Sequence, residues 1–71
     1  MEVTAIFEQD EGWWIARAVE VPGAFGQGRT IDECRESLTE AVELMLEEMR
    51  ERAARETAGR ETVRERILVA S

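Results

Sequence analysis

Few side chains in this sequence can do chemistry: sixteen Asp and Glu, nine Arg and the single Cys34, with no His, Lys or Tyr. General acid–base work needs a group poised near the working pH, and none of these types titrates there unperturbed. Two-metal hydrolysis needs clustered carboxylates. The N-terminal stretch supplies only Glu2 and Glu8, six positions apart, while Asp10 and Asp32 fall in a turn and in the first turn of a helix, both structural places. Cys34 sits near a helix N-terminus, where a thiol pKa falls. Its place on an apolar stripe assigns it to the core instead. Gly23, Gly26 and Gly28 fit neither the P-loop nor the dinucleotide fingerprint, and no lysine follows them, so they read as turn glycines. The expectation is a non-enzymatic chain with no catalytic residue, no cofactor and no metal.

The elements that would position these residues must come from one domain, since the chain has 71 residues. A chain this short is marginal alone and usually needs a disulfide, a metal or a partner. One cysteine closes no internal disulfide and builds no zinc site. Self-association as a dimer or tetramer is the expected support. The net charge of −7 repels a phosphate backbone and favours a basic protein partner. No apolar run approaches the ~20 residues a bilayer needs, and no basic-then-apolar leader opens the chain. A soluble, cytoplasmic protein is expected.

Alternation over Glu2–Glu8 predicts a first strand, with Val3, Ala5 and Phe7 on one face. The polar Gln9-Asp10-Glu11-Gly12 reads as a four-residue hairpin loop. Trp13–Val19 is the second strand, which pairs Phe7 with Trp14, Ala5 with Ala16 and Val3 with Ala18. That uncharged face is the predicted core face. The other face collects Ile6, Trp13, Ile15 and Val19 beside Glu8 and Arg17, too apolar for plain solvent. Val21-Pro22-Gly23 is a turn, and Ala24–Gln27 a short third strand. Gly28 frees the backbone before the helix.

Thr30-Ile31-Asp32-Glu33 is a capping box. From it, apolar residues recur at Cys34, Leu38, Ala41, Val42, Met45 and Met49 with helical period. Glu48/Arg52 and Glu51/Arg55 have the favourable i,i+4 orientation. Gly59 ends the helix, whose last turns overhang any sheet built from strands this short. After the charged stretch 60–65, the apolar run Arg66–Ala70 reads as a final strand. The predicted fold is α+β, in the order β-β-β-α-β. A right-handed crossover sets the last strand beside the first, giving one mixed sheet of order 3-2-1-4 with the long helix on one face.

Trp13, Ile15 and Leu44 are the candidate interface residues. Each is a large apolar side chain where a solvated position would carry a charge, and aromatic residues are enriched at interfaces. Pro22, Gly23, Gly28, Thr30 and Glu33 are the structural motif.

The ordered set Gly12-Trp13-Trp14-Ile15-Ala16, Pro22-Gly23, Gly28-Arg29-Thr30 and Glu40-Ala41 resembles the HicB-like antitoxins. The resemblance covers residues 1–50, and the whole chain if the last strand is counted. It implies a degraded ribonuclease H-like fold without catalytic acids. It also implies a function: family members neutralise basic HicA-type messenger-RNA-cleaving toxins by covering them. Many members carry a C-terminal DNA-binding domain. Only six residues follow Glu65, so this chain alone is not expected to bind DNA. Ala24 stands where the family often has cysteine, and Cys34 where alanine is usual. The alternative is an orphan homo-oligomeric interaction protein of the same fold with a non-toxin partner.

Overall fold

The computed structural model describes residues 1–70. Three strands and one helix follow in the order β1 (Ala5–Asp10), β2 (Trp13–Ala18), β3 (Phe25–Gly28) and α1 (Ile31–Thr57). The strands form one antiparallel sheet in the order β1-β2-β3. The α+β class and the single long helix on one sheet face stand as expected.

The first hairpin departs from expectation in register. Asp10 pairs with Trp13, so Glu11-Gly12 alone forms the loop, and Ala5 pairs with Ala18 and Phe7 with Ala16. Glu11 (φ 48) and Gly12 (φ 84) both adopt left-handed backbone, the requirement of the tight two-residue turn whose twist matches its strands. A glutamate is an uncommon residue there, which is why the sequence read as a wider loop. The pairing slips by two residues, and side chains alternate with period two, so each keeps its expected face. Beyond the strand ends, Val19 N donates to Thr4 O at 2.9 Å. The Glu20 carboxylate accepts from the Thr4 backbone N–H and, at 2.6 Å, from its hydroxyl. These bonds hold the Glu20 pKa below the ordinary carboxylate value.

At the β2–β3 turn Ala24 N donates to Val21 O at 3.1 Å. Pro22 sits second, with Gly23 third at φ 95, a pattern in which proline presets one dihedral and glycine supplies the other. β3 begins at Phe25 rather than Ala24, and its glycines do more than turn the chain. A Cβ on Gly26 would stand 2.4 Å from Leu38 N, and one on Gly28 2.6 Å from Cys34 N. The missing side chains let the helix backbone press directly on the strand.

The helix starts as the capping box dictates. Thr30 Oγ1 accepts from Glu33 N at 3.1 Å, and Glu33 Oε2 reaches back to Arg29 N at 2.9 Å, one residue before the cap. It then runs back along β3, facing Cys34 to Gly28, Leu38 to Gly26 and Met45 to Gly23. Cys34, Leu38 and Val42 are buried with Ala16, Ala18, Val21 and Ala24, and Val3, Phe7 and Trp14 pack against them. Of the two expected i,i+4 pairs, Glu48–Arg52 closes at 3.3 Å and Glu51–Arg55 does not. Helix α1 ends at Thr57, and Gly59 (φ 79) carries the chain out of it.

The fourth strand does not form. Residues 61–70 have no regular structure and lie exposed, so the described sheet has three strands and not the order 3-2-1-4. An apolar run is strand-like only once it has a neighbour to pair with, and local sequence does not name that neighbour.

The core position of Cys34 makes a testable statement. Its thiol is fully buried, and desolvation raises its pKa. It should stay unmodified by a thiol-reactive dye in the native protein and react at once in denaturant. Fast labelling of the native chain would contradict the packing.

Candidate interaction face

The sheet has two unlike sides because small and large residues alternate along β2 and β3. Ala16, Ala18, Gly26 and Gly28 turn under the helix and are buried. Ile15, Arg17, Phe25 and Gln27 turn the other way and are exposed. Ile6 of β1 pairs with Arg17, and Arg17 pairs with Phe25, so these side chains share the outer face. Ile6, Trp13, Ile15, Val19 and Phe25 form there a patch in which Ile15 is 40% exposed and Phe25 61%. Shallow depressions flank Phe25. One is lined by Ile6, Glu8, Ile15 and Arg17, the other by Val19, Pro22 and Gly23.

Trp13 marks one end of the face. The Arg29 guanidinium lies 4.0 Å from its ring centroid, a cation–π contact, and Trp13 is 40% exposed. One cation, Arg17, stands within the patch between Ile6 and Phe25, and acids line its β1 side: Glu8 beside Ile15, then Asp10, with Glu11 in the turn. Large exposed apolar side chains grouped on one face around an arginine, with acids beside them, have the composition of a protein interface, where aromatic residues and Arg are enriched.

The structure brings Trp13 and Ile15 together and separates Leu44 from them. Leu44 is 69% exposed on the helix, which covers the opposite side of the sheet, so it belongs to another surface. Phe25 was not among the residues singled out from sequence. The signal was there: Ala24, Gly26 and Gly28 alternate as small residues, which puts Phe25 on the outer side. Among the described residues, no three acidic or thiol side chains converge into a metal-binding group. No helix among them is long and apolar enough to cross a membrane.

A UPF0150 protein of Synechocystis is 43% identical to this chain over 70 residues, covering 96% of the chain and 94% of that relative. The chain belongs to the UPF0150 family. A UPF0150 protein of Archaeoglobus fulgidus is 35% identical over 48 residues, 66% of this chain and 70% of its own length. No family model matches the chain, and no solved structure does. The family is one of small, uncharacterised proteins, so the UPF0150 fold with its bare outer sheet face is the starting point for function.

Proposed function

We propose that this UPF0150 chain is a non-enzymatic, antitoxin-like binding module of the HicB kind, which sequesters a small basic RNA-cleaving toxin in the cytoplasm. The observation that carries the reading is the uncovered apolar outer face of the sheet. Its exposed Ile6, Trp13, Ile15, Val19 and Phe25 lie on a body that holds the whole net charge of the protein. Through Leu46 the chain has ten acids and three arginines; from Glu47 onward acids and arginines balance. A protein that grips RNA must be basic. An acidic body attracts it from a distance, and the apolar face supplies the contact that lasts. The motif set around Gly12–Ala16, Pro22-Gly23 and Gly28–Thr30 supports the same kinship. Of the expected sheet the part β1-β2-β3 forms, and among the described residues no strand lies beyond β1.

The test is to look for a small basic protein encoded beside this gene and to co-express the two. That protein alone should arrest growth, and this chain should restore it. Arrest that this chain does not relieve would overturn the proposal. The second reading is an orphan homo-oligomer with a non-toxin partner. The marginal size of the chain favours it, and a gene neighbourhood without a small basic companion would select it.

A further inference from the structure

Three uncovered features lie away from the outer sheet face. The outer edge of β1 pairs with no strand among the described residues. The other sheet edge differs, because Gln27 N on β3 donates to Ser37 Oγ of the helix at 3.2 Å. The helix from Glu47 onward overhangs the sheet by about 16 Å at 1.5 Å per residue, with Met49 56% exposed. The tail then exposes Ile67, Leu68 and Val69, the middle one to 98%.

We propose that these features form one exchange. The arm from Glu47 to Ala70 of one copy docks on the body of a second copy, and Ile67–Val69 pairs as a strand along that copy's β1 edge.

Side chains fit such a pairing. Ala5 and Phe7 on the inner face of β1, and Val3 just before it, are only half-buried, because the helix lies over β3 and then β2. Period-two alternation would set Ile67 and Val69 beside these residues and Leu68 beside Ile6 on the outer side. Charge fits as well. From Met1 to Gly12 the chain has four acids, Glu2, Glu8, Asp10 and Glu11, and no arginine. The tail brings Arg60, Arg64 and Arg66 against Glu61 and Glu65. The helix overhang is of mixed sign, with Glu47, Glu48, Glu51 and Glu56 against Arg50, Arg52 and Arg55, so two arms can lie together without strong net repulsion.

A second copy accounts for more than a return of the chain's own tail. Folding back would fill the β1 edge and leave the overhang with no sheet beneath it. A two-fold exchange covers Met49, the tail and the edge together, since each copy gives what it receives. An open edge beside an exposed apolar, strand-forming segment is otherwise an aggregation hazard.

Light scattering on the size-exclusion peak of the full chain should give twice the 8.1 kDa chain mass. The Ile67→Glu/Val69→Glu variant should elute as a folded monomer with an unchanged circular dichroism spectrum. A tagged Ile6→Cys chain mixed with an untagged Leu68→Cys chain should give a disulfide-linked tagged–untagged pair on mild oxidation. A monomeric full chain, a double variant that keeps the dimer mass, or no cross-link between separate chains would each overturn the exchange.

Discussion

Gly26→Ala should unfold or severely destabilise the protein, although it adds one methyl group to a strand. The new Cβ would lie 2.4 Å from Leu38 N and 2.8 Å from both Cys34 O and Leu38 Cα. All three are helix backbone atoms, so no side chain can swing aside. The helix must lift from β3, and Leu38, buried between helix and sheet, loses its packing. Overpacking of this kind costs about 1–3 kcal/mol, occasionally more. A small domain has only about 0.05–0.15 kcal/mol of stability per residue to lose. Each 1 kcal/mol lowers Tm by roughly 4–8 °C at this size. Gly59→Ala is the matching control: its Cβ would meet nothing within 4 Å, and the only strain is the backbone φ of +79. Thermal melts should rank Gly26→Ala far below Gly59→Ala. Equal Tm values for the two would contradict the close contact.

Ile15→Glu should do the opposite, leaving the fold intact and removing partner binding. Ile15 lies on the outer face of the central strand, between Glu8 on β1 and Gln27 on β3 and next along β2 to Arg17, and it turns away from the helix. As a surface change it costs about 0.5 kcal/mol of stability. In a complex the new carboxylate would be desolvated without a partner. The loss of affinity for the proposed basic partner should be about 2 kcal/mol or more, roughly 30-fold. Trp13→Ala should weaken binding in the same direction by removing the aromatic end of the face. Calorimetric titration with the proposed partner, beside circular dichroism, checks both. Unchanged affinity in a folded Ile15→Glu chain would place the docking face elsewhere, on the helix side near Leu44.

The parts of this fold legible in the sequence are those set by neighbours along the chain. Thr30 and Glu33 announce the helix start because a cap is a bond between residues three apart. The inner and outer faces of β1 and β2 are legible because alternation survives even a slip of the pairing by two. The hairpin register was not, because Glu11 holds a left-handed backbone that its side chain does not advertise. Gly26 and Gly28 read as turn glycines because a glycine kept for a close approach looks the same as one kept for a turn. Their shared face, two residues apart, is what separates the two roles. Arg66–Ala70 has the composition of a strand, but pairing is a long-range fact. The candidate site divides the same way. Trp13 and Ile15 share a strand and so share a face, while Leu44 sits on the far layer, and only the tertiary structure reveals that separation.

The most direct test of the docking account takes a small basic protein encoded beside this gene, the partner proposed above, and follows its RNA cleavage as this chain is titrated in. The account predicts that the native chain extinguishes cleavage near equimolar ratio and that the Ile15→Glu chain, folded to the same degree, leaves it running. Cleavage that persists at saturating native chain, or that both chains quench equally, would contradict it.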